Sequence, residues 1–127
     1  VVLREGKDVA IIACGVMVER ALEAAETLAA KGIDTMVIDM HTIKPIDREA
    51  IIRAASRGAI VTAEDHSVMG GLGSAVAEVL VEEAPTMMRM IGVRDKFGES
   101  GSPMDIMDKM GLTSENIASK VEDLLSK

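Results

Sequence analysis

The chain has no tryptophan and no tyrosine, and Phe97 is its one aromatic residue. Single strands of nucleic acid are held largely by bases stacked on aromatic rings, so that kind of surface is excluded. Positive charge is scarce as well: 14 Lys+Arg stand against 21 Asp+Glu, a net charge of -7. A chain this acidic repels phosphate backbones and anionic lipid headgroups, which argues against nucleic acid and membrane partners. Cys14 is the single cysteine, so no internal disulfide forms. That fits a reducing, cytoplasmic setting. No apolar run approaches the ~18 residues of a membrane helix, and no basic-then-apolar signal peptide is visible. The chain opens at Val1 without a methionine, directly in an apolar run, and so reads as an excised domain or a processed product.

What is present is apolar. Hydrophobic residues make up 48% of the 127, which predicts one domain, residues 1–127, around a single sizeable core. The ten methionines are read mainly as core gap-fillers. Val9 to Ala13, Ile33 to Met40, Ala59 to Ala63 and Met87 to Val93 are the expected main strands. Continuous apolar runs of this length suit strands buried on both faces. Between them lie helical patterns. One carries Ala21, Leu22, Ala25 and Leu28 and closes at Gly32. A second starts at Asp47, an expected N-cap, and carries Ile51, Ile52 and Ala55. A third follows Gly70 and presents Val76, Val79 and Leu80. A short helix is expected over Met104 to Met110. A last one, capped by Thr113, carries Ile117, Val121, Leu124 and Leu125. Strands alternating with helices predict a mostly parallel sheet with helices on both faces.

The most informative stretch is GAIVTAEDHSVMGGLGSAVAEVLVEE, Gly58 to Glu83. An apolar run ends in Glu64, Asp65 and His66, and a glycine cluster at Gly70, Gly71 and Gly73 leads into a helix. In open α/β sheets ligands and partners gather at the carboxyl ends of strands. The cluster departs from the dinucleotide fingerprint, because Val76 replaces its third glycine and the segment follows the third buried strand rather than opening the first unit. No GxxxxGK[ST] occurs. Free N–H groups at a helix start can still hold an anion. Gly15, His66, Gly70, Gly71, Gly73 and Ser74 are therefore the candidate anion or interface site, weighed against a purely structural turn. His41 and His66 are the two histidines, and neither has a second His or Cys at metal-ligand spacing, so no metal site is expected. Ser67 and Ser74 lack the GxSxG elbow of a nucleophilic serine. Cys14 reads as a small apolar filler, and its place at a strand end leaves a reactive thiol as the alternative. Phe97, Gly98, Glu99 and Ser100 sit in a loop rich in Gly, Ser and charge and form a candidate interface loop. Together with Met104, Ile106, Met107 and Met110 they are the expected self-associating surface.

Three segments resemble one family. GKDVAIIACG, VIDMHTIKPID and EDHSVMGGLGSAVAEVL are similar to the C-terminal domain of transketolase-like thiamine diphosphate enzymes. DKFGESGSP followed by MDIMDKMGLT points to the transketolase branch, especially the form encoded as separate halves. The resemblance covers nearly the whole chain. It implies a three-layer α/β/α fold with a five-stranded mixed sheet, four strands parallel and a short first strand, Val1 to Glu5, antiparallel. It also implies that thiamine diphosphate and magnesium lie between two other domains, one from each of two subunits. The GDG…N segment that would bind them is missing here. No catalytic and no cofactor-binding residue carries over, and the domain is expected to be inert alone. The expected role is assembly with other domains or subunits of a ketol-transferring enzyme, as a homo-oligomer. The alternatives are a regulatory module for a small anion or nucleotide phosphate, and the equivalent domain of a deoxyxylulose-phosphate synthase or of a 2-oxo acid dehydrogenase beta subunit.

Overall fold

The computed structural model describes residues 1–67, 71–93 and 108–127, with His66 and Ser67 as backbone only. Five strands form one sheet: β1 Val2–Arg4, β2 Val9–Ala13, β3 Thr35–Asp39, β4 Ala59–Ser67 and β5 Met87–Val93. Their spatial order is β1-β3-β2-β4-β5. β1 runs antiparallel to β3, and the β3–β2, β2–β4 and β4–β5 pairs are parallel. Among the described residues four helices cover the sheet: α1 Met17–Ala29, α2 Arg48–Ala55, α3 Leu72–Glu83 and α4 Ser114–Leu125.

The alternation of a buried strand divides the core in two. Val9, Ile11 and Ala13 of β2 pack with Met17, Ala21, Ala24 and Leu28 of α1 and Ile117, Val121 and Leu124 of α4. Ala10, Ile12 and Cys14 point the other way, toward Ile51 and Ala54 of α2 and Leu72, Val76, Val79 and Leu80 of α3. Successive side chains leave a strand on opposite faces, so an all-apolar pentapeptide feeds both layers at once. Connectivity fixes which helix lies where. The chain steps from β2 outward to β3, then crosses back over β2 to β4 and on to β5. Right-handed crossovers place helices on one face for one direction of travel and on the opposite face for the other. Hence α1 lies opposite α2 and α3.

The edge strand β1 is held by close contact. A Cβ at Gly6 would overlap the carbonyl carbon of Thr35, so the turn between β1 and β2 accepts only glycine without movement. Lys7 N donates to Asp34 Oδ2 at 3.1 Å, and Asp34 N donates to Asp8 Oδ2 at 2.7 Å. The expected caps form. Asp47 Oδ1 accepts from Ala50 N at 3.1 Å, and Thr113 Oγ1 accepts from Asn116 N at 3.0 Å. Asn116 sits where a capping box would place Glu or Gln, and its Nδ2 donates to Gly111 O at 2.8 Å.

Some boundaries differ from those expected. The second main strand is the shorter Thr35–Asp39, and the first strand ends at Arg4. The third does not stop at Ala63 but runs on to Ser67, through the charged Glu64 and Asp65. Charge suggests a strand end, whereas here the backbone continues to pair with β5 as far as Ser67 and Val93, across a register shift. The candidate loop Phe97, Gly98, Glu99 and Ser100, and Met104, Ile106 and Met107 of the expected short helix, lie outside the described residues. Met110 is described, and it packs half-buried against the α1 and α4 layer.

Candidate functional site

Reversal of chain direction between β2 and β4 creates a switch point at their carboxyl ends, the usual place for a ligand in such sheets. Cys14 and Gly15 leave β2 there, and Glu64 and Asp65 belong to β4. Gly15 adopts φ +64. A Cβ on it would lie 3.2 Å from Asp65 Oδ1. The turn into α1 thus lies against the end of β4.

Glu64 decides what this corner can do. It follows Ile60 and Thr62 on the β4 face that looks toward α2 and α3, and it is 0% exposed. Its Oε1 accepts from Leu72 N and its Oε2 from Gly73 N, both at 2.8 Å. A buried carboxylate is costly unless it is fully hydrogen-bonded. Here it meets two N–H groups at the positive end of a helix. The first turn of α3 therefore already holds an anion, one supplied by the chain. Gly73 lets that turn come close, since a Cβ on it would stand 2.7 Å from Met90 Sδ and 3.2 Å from Thr62 Oγ1.

The other expected site residues fall around this pair. Gly71 is the N-cap of α3, and Ser74 is half-buried in its first turn. His66 continues β4 two residues past Glu64, while Gly70 lies outside the described residues. The N–H groups that an external anion would need at Leu72 and Gly73 are occupied by Glu64. The sequence reading treated Glu64 only as part of a charged strand end. Period-two counting from Ile60 and Thr62 would have turned it inward.

Cys14 is buried, and burial pushes its thiol up to about 11, with the charges of Glu64, Asp65 and Asp39 adding to the effect. The thiolate is the reactive form of cysteine, so this thiol is inert at neutral pH. His41 is exposed and lines a cleft of about 330 Å³ with Asp39, Thr42 and Asp47. A larger cleft, about 550 Å³, lies between the starts of α1 and α4 and is lined by Glu19, Glu23, Asp108 and Glu115 beside Arg20. Arg20 Nη1 donates to Leu112 O at 2.7 Å and to Asp108 Oδ1 at 3.2 Å. Among the described residues no group of three or more His, Cys, Asp and Glu side chains is placed to hold a metal ion. Nor is any described helix long and apolar enough to cross a membrane.

The mixed sheet with an antiparallel edge strand ahead of the parallel ones is the arrangement that the resemblance implied. Residues 1–117 match the family model described as transketolase, C-terminal domain. The chain belongs to the transketolase C-terminal domain family.

Relatives agree with the family. This transketolase C-terminal domain is 50% identical over 126 residues to the 6-deoxy-6-sulfo-D-fructose transketolase subunit SqwH of Clostridium sp. strain MSTE9, covering 98% of the chain and 39% of that subunit. It is 46% identical over 128 residues to 1-deoxy-D-xylulose-5-phosphate synthase 1 of Geobacter sulfurreducens, covering 98% of the chain and 20% of that enzyme. Among solved structures it superposes on a split gene transketolase, an inactive beta4 tetramer, with a TM-score of 0.95 and 53% identity. The overlap is 99% of this chain and 42% of that one. The domain thus spans about two-fifths or less of the relatives it matches. At the α3 turn, the Leu72 and Gly73 N–H groups already carry the Glu64 carboxylate.

Proposed function

We propose that this domain is the assembly part of a transketolase-like, ketol-transferring enzyme and has no turnover of its own. In that enzyme, thiamine diphosphate and magnesium would be held by thiamine-binding domains in the remainder of the polypeptide or in other subunits, with this domain packed against them in a cytoplasmic homo-oligomer. The observation that carries the reading is the 53% identity, at a TM-score of 0.95, to a split gene transketolase of which this chain covers 42%. The chemistry supports the same division. Ketol transfer needs an electron-sink cofactor, and the glycine turn at the start of α3 is filled by Glu64. That occupancy also counts against the regulatory-anion alternative at Gly71 to Ser74.

A second reading places the domain in a deoxyxylulose-phosphate synthase, and the 46% identity to the Geobacter enzyme favours it. Both readings give the domain the same role. One preparation tests that role. Purified chain supplied with thiamine diphosphate, magnesium and a ketose phosphate should give no turnover and no tight cofactor binding by calorimetry. Turnover above the blank overturns the proposal. A strict monomer in sedimentation equilibrium at high micromolar concentration rejects the homo-oligomer.

A further inference from the structure

The carboxyl edge contains a device that an assembly role does not account for. Leu72 lies eight positions after Glu64, yet the Glu64 carboxylate grips Leu72 N and Gly73 N with one oxygen each, at 2.8 Å. The grip is fully buried. It joins the last part of β4 directly to the first turn of α3. Cys14 at the end of β2 lies close enough to feel the charge of Glu64. That thiol cannot replace the carboxylate on the two N–H groups, since a thiol is a weak acceptor.

We propose that Glu64 is a built-in ligand, a clasp whose carboxylate does for α3 what a bound small monocarboxylate would do, and that the corner is a carboxylate-binding cavity closed by its own side chain. The geometry makes this specific. Cutting Glu64 back to alanine removes Cγ, Cδ, Oε1 and Oε2, the heavy-atom framework of acetate. Ile12, Leu72 and Val76 belong to the apolar layer on this face of the sheet, and the vacated space has two N–H donors, those of Leu72 and Gly73, at one end. Planar, two-oxygen anions fit that pair. Chloride has no second acceptor, and propionate has one carbon too many. The reading is independent of the enzyme to which the domain belongs.

The test is rescue by added carboxylate. Glu64→Ala should melt well below the wild type in sodium chloride. Replacing chloride by acetate at equal ionic strength should raise its melting temperature by several degrees, with formate and propionate giving less. The wild type should show no acetate-specific rise, nor should Glu64→Gln, whose amide still fills the cavity. Gly6→Ala, destabilised at the far end of the sheet, serves as the control for general salt effects. If Glu64→Ala is unfolded in chloride, acetate should restore its far-ultraviolet circular dichroism. Amide resonances of Leu72 and Gly73 should shift on titration with acetate in the Ala variant only. An equal response in the wild type, in Glu64→Gln or in Gly6→Ala overturns the proposal, as does a Glu64→Ala variant that acetate neither stabilises nor refolds.

Discussion

The two ends of the sheet are built by different physics. At the amino end, main chain and exposed charge hold the structure. Gly6 lies against Thr35, Arg57 Nε donates to Gly6 O at 2.8 Å, and Glu5 pairs with Arg53 and Arg57 at the end of α2. At the carboxyl end a single carboxylate, wholly removed from water, ties a strand to a helix. Exposed pairs share their partners with solvent and contribute little. A buried carboxylate leaves its donors stranded when it is removed. The corner where such sheets usually admit ligands is therefore, in this domain, the one most dependent on a single side chain.

The sharpest way to break this contrast is at Glu64. Each orphaned buried N–H costs about 1–3 kcal/mol, so Glu64→Ala should lose roughly 4 kcal/mol in urea unfolding, a loss that acetate partly restores. Gly6→Ala should cost about 3 kcal/mol, because the overlap is with backbone that cannot rotate away. No carboxylate should restore that loss, and a Gly6→Ala protein of unchanged stability would remove close packing from the account of the amino end.

Cys14 gives the next effect. Its thiol is pushed from 9.0 up to about 11 in the fold, by burial first and by Glu64, Asp65 and Asp39 after it. The folded state holds this proton more tightly than the unfolded chain. The stability it contributes is fully present below pH 9 and falls as pH rises toward 11. Two units amount to about 3 kcal/mol. Urea titrations at pH 8 and pH 11 should show this fall in the wild type, and a correspondingly smaller one in Cys14→Ala. The smallest effect belongs to Glu5→Ala. Glu5 is 62% exposed in its side chain, so the change should cost less than about 1 kcal/mol, less still in high salt. A larger loss would mean that the amino end relies on charge after all.

Much of the fold was legible because its signals are local. VAIIA and AIVTA announce strands buried on both faces, and Asp47 and Thr113 announce helix starts through a hydrogen bond to the N–H three residues on. The family resemblance lay in three contiguous segments. The candidate corner was legible as a place, at Gly15 and Gly71 to Ser74, and its occupant was not. Glu64, Asp65 and His66 have the look of a charged strand end, yet β4 runs on to Ser67.

By itself, then, the sequence determined the order of elements, the two-sided burial of β2 and the helix caps, because each depends on neighbours within a few residues. Period-two alternation from Ile60 and Thr62 points Glu64 inward, but the tertiary structure alone decided which donors it meets there and that Gly73 should pass beside Met90 and Thr62. A carboxylate is tolerated inside only when donors arrive from elsewhere, and these come from the next helix, brought back over the sheet by the crossover. Whether a charge marks a surface or a clasp depends on that return.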